Sequence, residues 1–214
     1  MILESSMIKI GLTGSIGMGK TETGKIFSEL GFPVYNADDA VHRLYEAGQK
    51  GAEKITEVFP NSINPDGSVN REHLSAEVLG DVDKIRVLES IIHPLVGEDR
   101  EVFFKENANA PAVVLDIPLL FETGGEKFVD IIVVVDAPTD IQEERVLSRP
   151  NMTKEKFEKI IAEQIPNDVK KKKAENEFSI DKARELIKGK TIVFCLPGRG
   201  VSYIFLKALS LIHI

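Results

Sequence analysis

The sequence predicts an α/β fold, in which helices flank a parallel sheet, and three observations support this class. Short apolar runs of strand length alternate with longer amphipathic runs of helix length along the chain. Residues 14–21 read GSIGMGKT, the pattern G-x-x-x-x-G-K-[ST] of a phosphate-binding loop, or P-loop. The apolar run 8–13 before this loop and the helical pattern 22–30 after it, which stops at Gly31, give the motif a strand–loop–helix context.

The P-loop predicts a binding site for a nucleoside triphosphate with Mg²⁺. Its glycines let the backbone wrap around phosphate oxygens, toward which the N–H groups of the loop and of the helix N-terminus point. Lys20 is expected to reach the β- and γ-phosphates, and the Thr21 hydroxyl to ligate Mg²⁺. The alternative is a tight glycine turn that only joins a strand to a helix. The predicted nucleotide-contacting residues are Gly14, Ser15, Ile16, Gly17, Met18, Gly19, Lys20 and Thr21.

The composition is that of an ordinary globular protein, and it excludes several classes of function. The 214 residues are 43% hydrophobic and 29% charged, and one α/β domain with insertions is the natural expectation. A net charge of −7 argues against a partner with a phosphate backbone, so no nucleic acid is expected. The single cysteine, Cys195, excludes an internal disulfide and a cysteine-based zinc site.

Neither end of the sequence predicts a targeting or membrane segment. Residues 1–6 lack the basic region and apolar run of a signal peptide, and they read as an extension before Met7. The apolar stretch in 190–214 is too interrupted to span a membrane. It reads either as an added strand and helix or as a non-native end of the reading frame. We therefore expect a cytoplasmic protein without a membrane partner.

A short second strand, 32–35, ends in the acidic turn 36–39. Ligands bind at the carboxyl ends of the strands in an open parallel sheet, so we expect this turn to open toward the P-loop. Asp38 is the candidate general base. Asp39 is expected to cap the next helix or to be an acid of its first turn; the alternative is that either acid only caps.

Residues 41–108 read as a long, mostly helical insertion, with a turn or small hairpin at 60–67. His93 precedes a proline and is expected near a bend, as a structural histidine more readily than as a ligand. Arg71 and Arg86 are candidates for contact with a phosphate-bearing substrate, and ordinary surface arginines are the alternative.

A continuous apolar run at 112–115 predicts a central parallel strand that ends in Asp116. An acid in this place is typical of a Mg²⁺ site in P-loop enzymes. The alternative, a hydrogen bond from Asp116 to the Thr21 hydroxyl or to the loop backbone, stays equally open. Residues 118–121 line a substrate pocket or pack in the core.

A fourth strand, 131–135, precedes a predicted capped helix, 139–149. Arg145 and Arg149 are four residues apart and share one helix face, from which they would stabilise a transferred phosphoryl group. The alternative is surface arginines paired with Asp140 or Glu144. A further helix is predicted at 153–165, and the lysines at 170–173 predict a solvated helix face, with a phosphate contact as the alternative.

These motifs, taken together and in this order, resemble the dephospho-coenzyme A kinase family over about residues 8–174. The matching stretches are 10–21 (IGLTGSIGMGKT), 36–38 (NAD), Asp66-Gly67 with Arg71, Leu88-Glu89 through His93-Pro94, 115–122 (LDIPLLFE), and 133–138 (VVVDAP) followed by Gln142, Arg145, Arg149 and Gln164.

The resemblance implies a kinase that transfers the γ-phosphoryl of ATP, with Mg²⁺, to the ribose 3′-hydroxyl of dephospho-coenzyme A. It implies a P-loop core at 7–40 and 109–140, a helical substrate domain at 41–108, a lid at 141–174 and an atypical segment at 175–214. On this resemblance, Asp38 is the base on the 3′-hydroxyl, Lys20 and Arg145 stabilise the γ-phosphoryl, Arg149 assists ATP binding, and Thr13 positions a phosphate or the base. Thr21 and Asp116 stay the candidate metal ligands on the grounds given above. The implied substrate-binding residues are Thr13, Asp38, Arg71, His93, Pro118 and Leu119.

The chain departs from the family pattern at two places. Asn36 stands where the family usually has a second acid, and 174–181 (AENEFSID) replaces a strand of the form Ala-Asp-x-Val-Ile-x-Asn that helps to hold adenine. Two other functions therefore stay open. One is another small-molecule P-loop kinase, such as a nucleoside monophosphate kinase, and the other is a nucleotide-binding protein with impaired turnover.

Overall fold

The computed structural model describes residues 7–177, and their side chains as far as residue 174. The strands are β1 (Ile8–Thr13), β2 (Val34–Asn36), β3 (Ala112–Asp116) and β4 (Ile131–Val134). The helices are α1 (Lys20–Glu29), α2 (Ala37–Leu44), α3 (Lys50–Val58), α4 (Arg71–Val78), α5 (Val82–Glu106), α6 (Thr139–Leu147), α7 (Lys154–Glu163) and α8 (Asn167–Glu177), with short 3₁₀ turns at Pro60–Ser62 and Gly125–Phe128.

The four strands form one sheet in the order β2-β3-β1-β4. β1 runs parallel to both of its neighbours, with Ile10 opposite Val114 on one side and Ile131 on the other. The carboxyl ends of β1, β3 and β4 therefore lie at one edge of the sheet. β3 is buried along its whole length, as its continuous apolar sequence predicts. The predicted α/β class is confirmed.

The described chain divides into two compact units. The sheet unit contains residues 7–35 and 109–177, and the helical unit contains Asn36–Ala108. Each unit has its own apolar core. The sheet-unit core consists of Ile8, Ile10, Leu12, Met18, Phe27, Ala112, Val114, Ile131, Val135 and Ala137. The core of the helical unit consists of Ala52, Ile55, Phe59, Val69, Leu74 and Ile92.

The largest difference from the predicted elements concerns His93. We expected a bend there, but α5 continues without interruption past Pro94. The proline ring disfavours helical geometry at the preceding residue. Burial of Ile92 and Leu95 on the core side of α5 holds the helix through this position. The predicted hairpin at 60–67 corresponds to an antiparallel bridge between Ile63 and Val69.

Candidate active site

The P-loop joins β1 to α1 through a backbone path that side chains would obstruct. Gly17 has a φ of +80°, and a Cβ there would lie 2.5 Å from Val146 Cγ2. A Cβ at Gly14 would lie 2.8 Å from the carbonyl oxygen of Val135 at the end of β4. The glycines therefore let the loop approach β4 and α6 closely.

The second half of the loop presents backbone donors. α1 begins at Lys20, and its N-cap residue Gly19 provides no side-chain cap. The first amides of a helix have no acceptor within the helix, so they are available to an anion. Their partial positive charge favours phosphate at this place.

Lys20 and Asp116 form an ion pair next to these amides. Lys20 Nζ lies 2.5 Å from Asp116 Oδ1, and the two side chains are 15% and 4% exposed. The sequence analysis considered Mg²⁺, Thr21 and the loop backbone as partners of Asp116, and it missed Lys20. β3 is the neighbour of β1 in the sheet, so Asp116, the last residue of β3, lies next to the start of α1, where Lys20 stands.

The first half of the loop is held by side-chain amides. Ile16 N donates to Gln164 Oε1 at 3.0 Å, and Gln142 Nε2 donates to Ile16 O at 2.7 Å. Ser15 N donates to Asn167 Oδ1 at 3.1 Å. The sequence analysis assigned no function to these three amides, although two of them belonged to the family resemblance.

Lys170 joins the segment after β3 to α8. Its Nζ donates to Glu122 Oε1 at 2.9 Å and to Pro118 O at 3.1 Å, and its side chain is fully buried. Burial by itself raises the pKa of Glu122, but hydrogen bonds from Lys170 and from Ile165 N hold that pKa below its ordinary value. The predicted solvated face is therefore wrong for Lys170. Its neighbours in the run do reach the surface, and Lys171 pairs there with Asp136 and Asp168.

The segment after β3 divides between core and surface. Thr13 is buried, and its Oγ1 donates to Pro118 O at 3.0 Å. Leu120 and Phe121 are buried, which favours core packing for these two. Leu119 is 41% exposed, so it is available to a ligand.

The two arginines after β4 do not share a helix face as predicted. α6 ends at Leu147, so Arg149 lies beyond the helix, and the helix starts without a side-chain cap. Both arginines are exposed, and within the described residues neither one forms an ion pair with Asp140 or Glu144. A Cβ at Gly19 would lie 3.5 Å from Arg145 Nη1, so this guanidinium lies against the P-loop.

In the helical unit, Asp38 and Asp39 are exposed acids in the first turn of α2. The N-cap is Asn36, whose Oδ1 accepts from Asp38 N at 2.9 Å and from Asp39 N at 3.1 Å. Asp39 is thus a first-turn acid rather than the cap. The residue that departs from the family pattern has a structural role, because asparagine is among the best N-caps.

The remaining candidates of the helical unit lie on its surface. Arg71 begins α4, and its Nη1 lies 2.7 Å from His42 Nε2. His93 is exposed in the middle of α5. Arg86 pairs with Asp83 one helical turn away, at 3.5 Å, as an ordinary surface arginine does.

Among residues 7–177, no group of three or more His, Cys, Asp or Glu side chains is placed to hold a metal ion. Mg²⁺ in phosphoryl-transfer sites takes only one or two protein ligands and completes its shell with phosphate and water. The same part of the chain contains no helix that is long and apolar enough to cross a membrane.

Comparison with known proteins identifies relatives along most of this chain. Residues 8–184 match the dephospho-CoA kinase family. Dephospho-CoA kinase of Brucella melitensis biotype 1 is 51% identical over 177 residues, which are 82% of this chain and 86% of the relative. The enzyme of Bradyrhizobium diazoefficiens is 51% identical over 179 residues, covering 83% and 87% of the two chains.

A solved structure agrees with the fold. The crystal structure of TT1252 from Thermus thermophilus superposes with a TM-score of 0.71 at 28% identity, covering 88% of this chain and all of that one. The dephospho-CoA kinase from Campylobacter jejuni has a TM-score of 0.54 at 23% identity, covering 84% and 94%, which shows a shared fold. This chain therefore belongs to the dephospho-CoA kinase family.

Proposed function

We propose that this protein phosphorylates the 3′-hydroxyl of dephospho-coenzyme A with ATP, giving coenzyme A and ADP, as the last step of coenzyme A synthesis. One observation carries the proposal: 51% identity to enzymes named for this activity, over 86% of their length. The complete P-loop with its open helix N-terminus supports ATP as the phosphoryl donor.

In the proposed reaction, the 3′-oxygen of the ribose attacks the γ-phosphorus, and the bond from that phosphorus to the β–γ bridging oxygen breaks. The P-loop amides and Lys20 hold the β- and γ-phosphates. Arg145 lies against Gly19, which supports a role in stabilising the charge on the transferred group. Arg149, exposed beyond the end of α6, assists in binding ATP.

Asp38 accepts the proton that the 3′-hydroxyl loses. Its carboxylate is exposed in the first turn of α2, so it is available to a substrate hydroxyl. Asn36 Oδ1 accepts the capping hydrogen bonds, so the carboxylate of Asp38 does not cap the helix. A carboxylate that is positioned to accept this proton typically accelerates the reaction by roughly 10²- to 10⁴-fold.

Thr21 and Asp116 would hold Mg²⁺. Asp116 fits the role of a metal ligand because it is a buried carboxylate next to the P-loop, where it pairs with Lys20. When bound, Mg²⁺ neutralises charge on the phosphate oxygens during phosphoryl transfer. Lys20, which pairs with Asp116 in this structure, would then contact the β- and γ-phosphates.

Six residues are proposed to contact dephospho-coenzyme A. They are Thr13, Asp38, Arg71, His93, Pro118 and Leu119. Arg71 and His93 are exposed and polar, and Leu119 offers apolar surface. The net charge of −7 supports a small-molecule substrate over nucleic acid, and the composition supports a cytoplasmic setting.

A substrate panel tests the proposal. The full chain is incubated with ATP and Mg²⁺, and ADP release is measured with dephospho-coenzyme A, with AMP, CMP, UMP and GMP, and with no acceptor. We expect release above the acceptor-free rate with dephospho-coenzyme A alone. Release of ADP with a nucleoside monophosphate would instead indicate a nucleoside monophosphate kinase. ATP binding without release for any acceptor would favour impaired turnover.

A further inference from the structure

We propose that Asn167 is a positioning residue for the triphosphate of ATP, acting through the backbone of the P-loop. The inference rests on the proposed function only in taking ATP as the ligand. It concerns the first half of the loop, the part that is joined to α8.

Asn167 uses its full hydrogen-bonding capacity. Oδ1 accepts from Ser15 N at 3.1 Å and from Ser15 Oγ at 3.3 Å. Nδ2 donates to Val135 O at 3.1 Å and to Asp136 Oδ1 at 2.6 Å. One buried amide thus joins the start of the P-loop to the carboxyl end of β4. A primary amide offers two donors and two acceptor positions, and all four are in use.

Its anchor on β4 is itself fixed. Lys171 Nζ donates to Asp136 Oδ2 at 2.7 Å, so the carboxylate that receives Asn167 has both oxygens bonded. Hydrogen bonds to Asp136 and Asp168 raise the pKa of Lys171, so it stays protonated. Asn167 therefore transmits the position of β4 to Ser15.

Two further amides hold the next residue from opposite sides. Gln164 accepts from Ile16 N, and Gln142 donates to Ile16 O. The first half of the loop is thus tied to α6, to the end of α7 and to the start of α8, whereas the amides that begin α1 have no side-chain cap. Because the loop backbone is continuous, hydrogen bonds that fix its first half also fix the direction of the backbone N–H groups in its second half.

Apolar packing does not replace these bonds. A cavity of about 330 Å³ lies on this side of the loop, lined by Ser15, Met18, Asp136, Gln142, Gln164 and Asn167 among others. Beside this space, Ser15 and Ile16 are held by hydrogen bonds with Asn167, Gln164 and Gln142, because a cavity supplies no packed side chains there.

The test is calorimetric titration of Mg-ATP into the full chain, with no acceptor present, for wild type, Asn167→Leu and the control Lys172→Met. Leucine keeps the branched shape with methyl groups in place of the amide oxygen and nitrogen, so it removes all four bonds. Losing the loop contacts should raise the Kd for ATP about tenfold or more. Lys172 is an exposed residue of α8 that does not line the cavity, so its variant should bind ATP as wild type does.

A split between kinetic constants separates positioning from a purely structural role. Asn167→Leu should raise KM for ATP about tenfold and leave KM for dephospho-coenzyme A within about twofold. A purely structural role would lower the melting temperature and the amount of active protein without changing the Kd of the folded fraction. An unchanged Kd would overturn the proposal.

A second variant keeps the test decisive if Asn167→Leu does not fold. Gln142→Leu removes the bond to Ile16 O from the other side of the loop and should give the same ATP-specific loss. Wild-type affinity in this variant would count against the proposal. If wild type binds ATP but does not phosphorylate dephospho-coenzyme A, the proposed function fails and the titration still decides the role of Asn167.

Discussion

The two units of the chain hold their candidate residues in different ways. In the sheet unit, the P-loop and its neighbours are buried or hydrogen-bonded: Lys20 pairs with Asp116, and Ser15 and Ile16 are held by amides. In the helical unit, Asp38 and His93 are exposed. Under the proposed function, the difference predicts a phosphate site that is formed before ATP binds, and residues of the helical unit that act only when the acceptor contacts them.

Consequences for mutants follow from this contrast. A substitution of a buried or hydrogen-bonded residue at the P-loop should change stability and nucleotide binding together, because the same bonds serve both. A substitution of an exposed acid in the helical unit should change turnover and leave stability almost unaffected. The predictions below test the contrast, from the largest expected effect to the smallest.

Lys20→Ala should lower kcat/KM by roughly a thousandfold or more, because it removes the charge that contacts the β- and γ-phosphates. It should also lower the melting temperature while the fold is retained, since Asp116 loses its partner in a buried site. Lys25→Ala is the matched control on α1, because Lys25 forms only an exposed pair with Glu22. Steady-state kinetics and thermal melts measure both effects, and wild-type activity in Lys20→Ala would refute the assignment.

Asp38→Asn should lower kcat by about a hundredfold or more while ATP still binds, because the amide keeps the shape and loses the proton acceptor. Asp39→Asn should cost well under 1 kcal/mol, roughly the value of a first-turn acid at an exposed helix N-terminus, because Asn36 supplies the cap. The two variants are compared by turnover and by denaturant unfolding. Reversed effects would mean that the base is the other acid.

Arg145→Ala should lower kcat by roughly a hundredfold, because an arginine on the transferred phosphoryl acts mainly in the transition state. Arg149→Ala is the comparison, and it should have a smaller effect because Arg149 lies beyond the end of α6. If kinetics show a changed KM for ATP with unchanged kcat in Arg145→Ala, this residue binds ATP and does not act in the transfer step.

Lys170→Met should destabilise the fold by about 3 kcal/mol, because Glu122 and Pro118 O lose a buried donor. Lys172→Met, two residues away on the exposed face, should stay within about 0.5 kcal/mol of wild type. Urea unfolding of both variants gives the difference. Equal stabilities would contradict the buried role of Lys170.

Glu122 should contribute an acid-dependent part of stability. Its pKa is lower in the folded state, so the contribution is present above its unfolded pKa and is lost as the pH falls through the folded pKa. Below about pH 4.3, the ordinary glutamate value, wild type should lose stability more steeply than Glu122→Gln. Exposed acids with lowered pKa, such as Asp66 and Glu98, are common to both proteins and cancel in the comparison. Parallel curves would contradict the prediction.

Local sequence was enough to predict the P-loop and its flanking strand and helix. The observed β1, Ile8–Thr13, matches the predicted run, because a continuous apolar strand before a glycine loop is a short-range signal. The cap at Asn36 was also within reach, since asparagine before acidic first-turn residues is a typical helix start.

Long-range contacts were not predictable in the same way. The bond from Ser15 to Asn167 joins residues 152 positions apart. The burial of Lys170 depends on Glu122 in another segment, and a run of four lysines alone indicates a solvated face. These contacts depend on how α8 packs on the sheet edge, which periodicity does not report. The first part of the altered stretch 174–181 belongs to α8, which ends at Glu177. The rest of that stretch and the interrupted apolar tail, at 178–214, lie outside the described residues.

The central claim is that the preformed P-loop site passes the γ-phosphoryl of ATP to a ribose hydroxyl of dephospho-coenzyme A. The most direct test is to locate the transferred phosphate in the product. ATP labelled in the γ-phosphoryl is incubated with the full chain, Mg²⁺ and dephospho-coenzyme A, and the product is analysed by ³¹P NMR and mass spectrometry. We predict one labelled product, a 3′-phosphate monoester, which does not form with Lys20→Ala. Label found only in inorganic phosphate, or on another oxygen of the acceptor, would contradict the account.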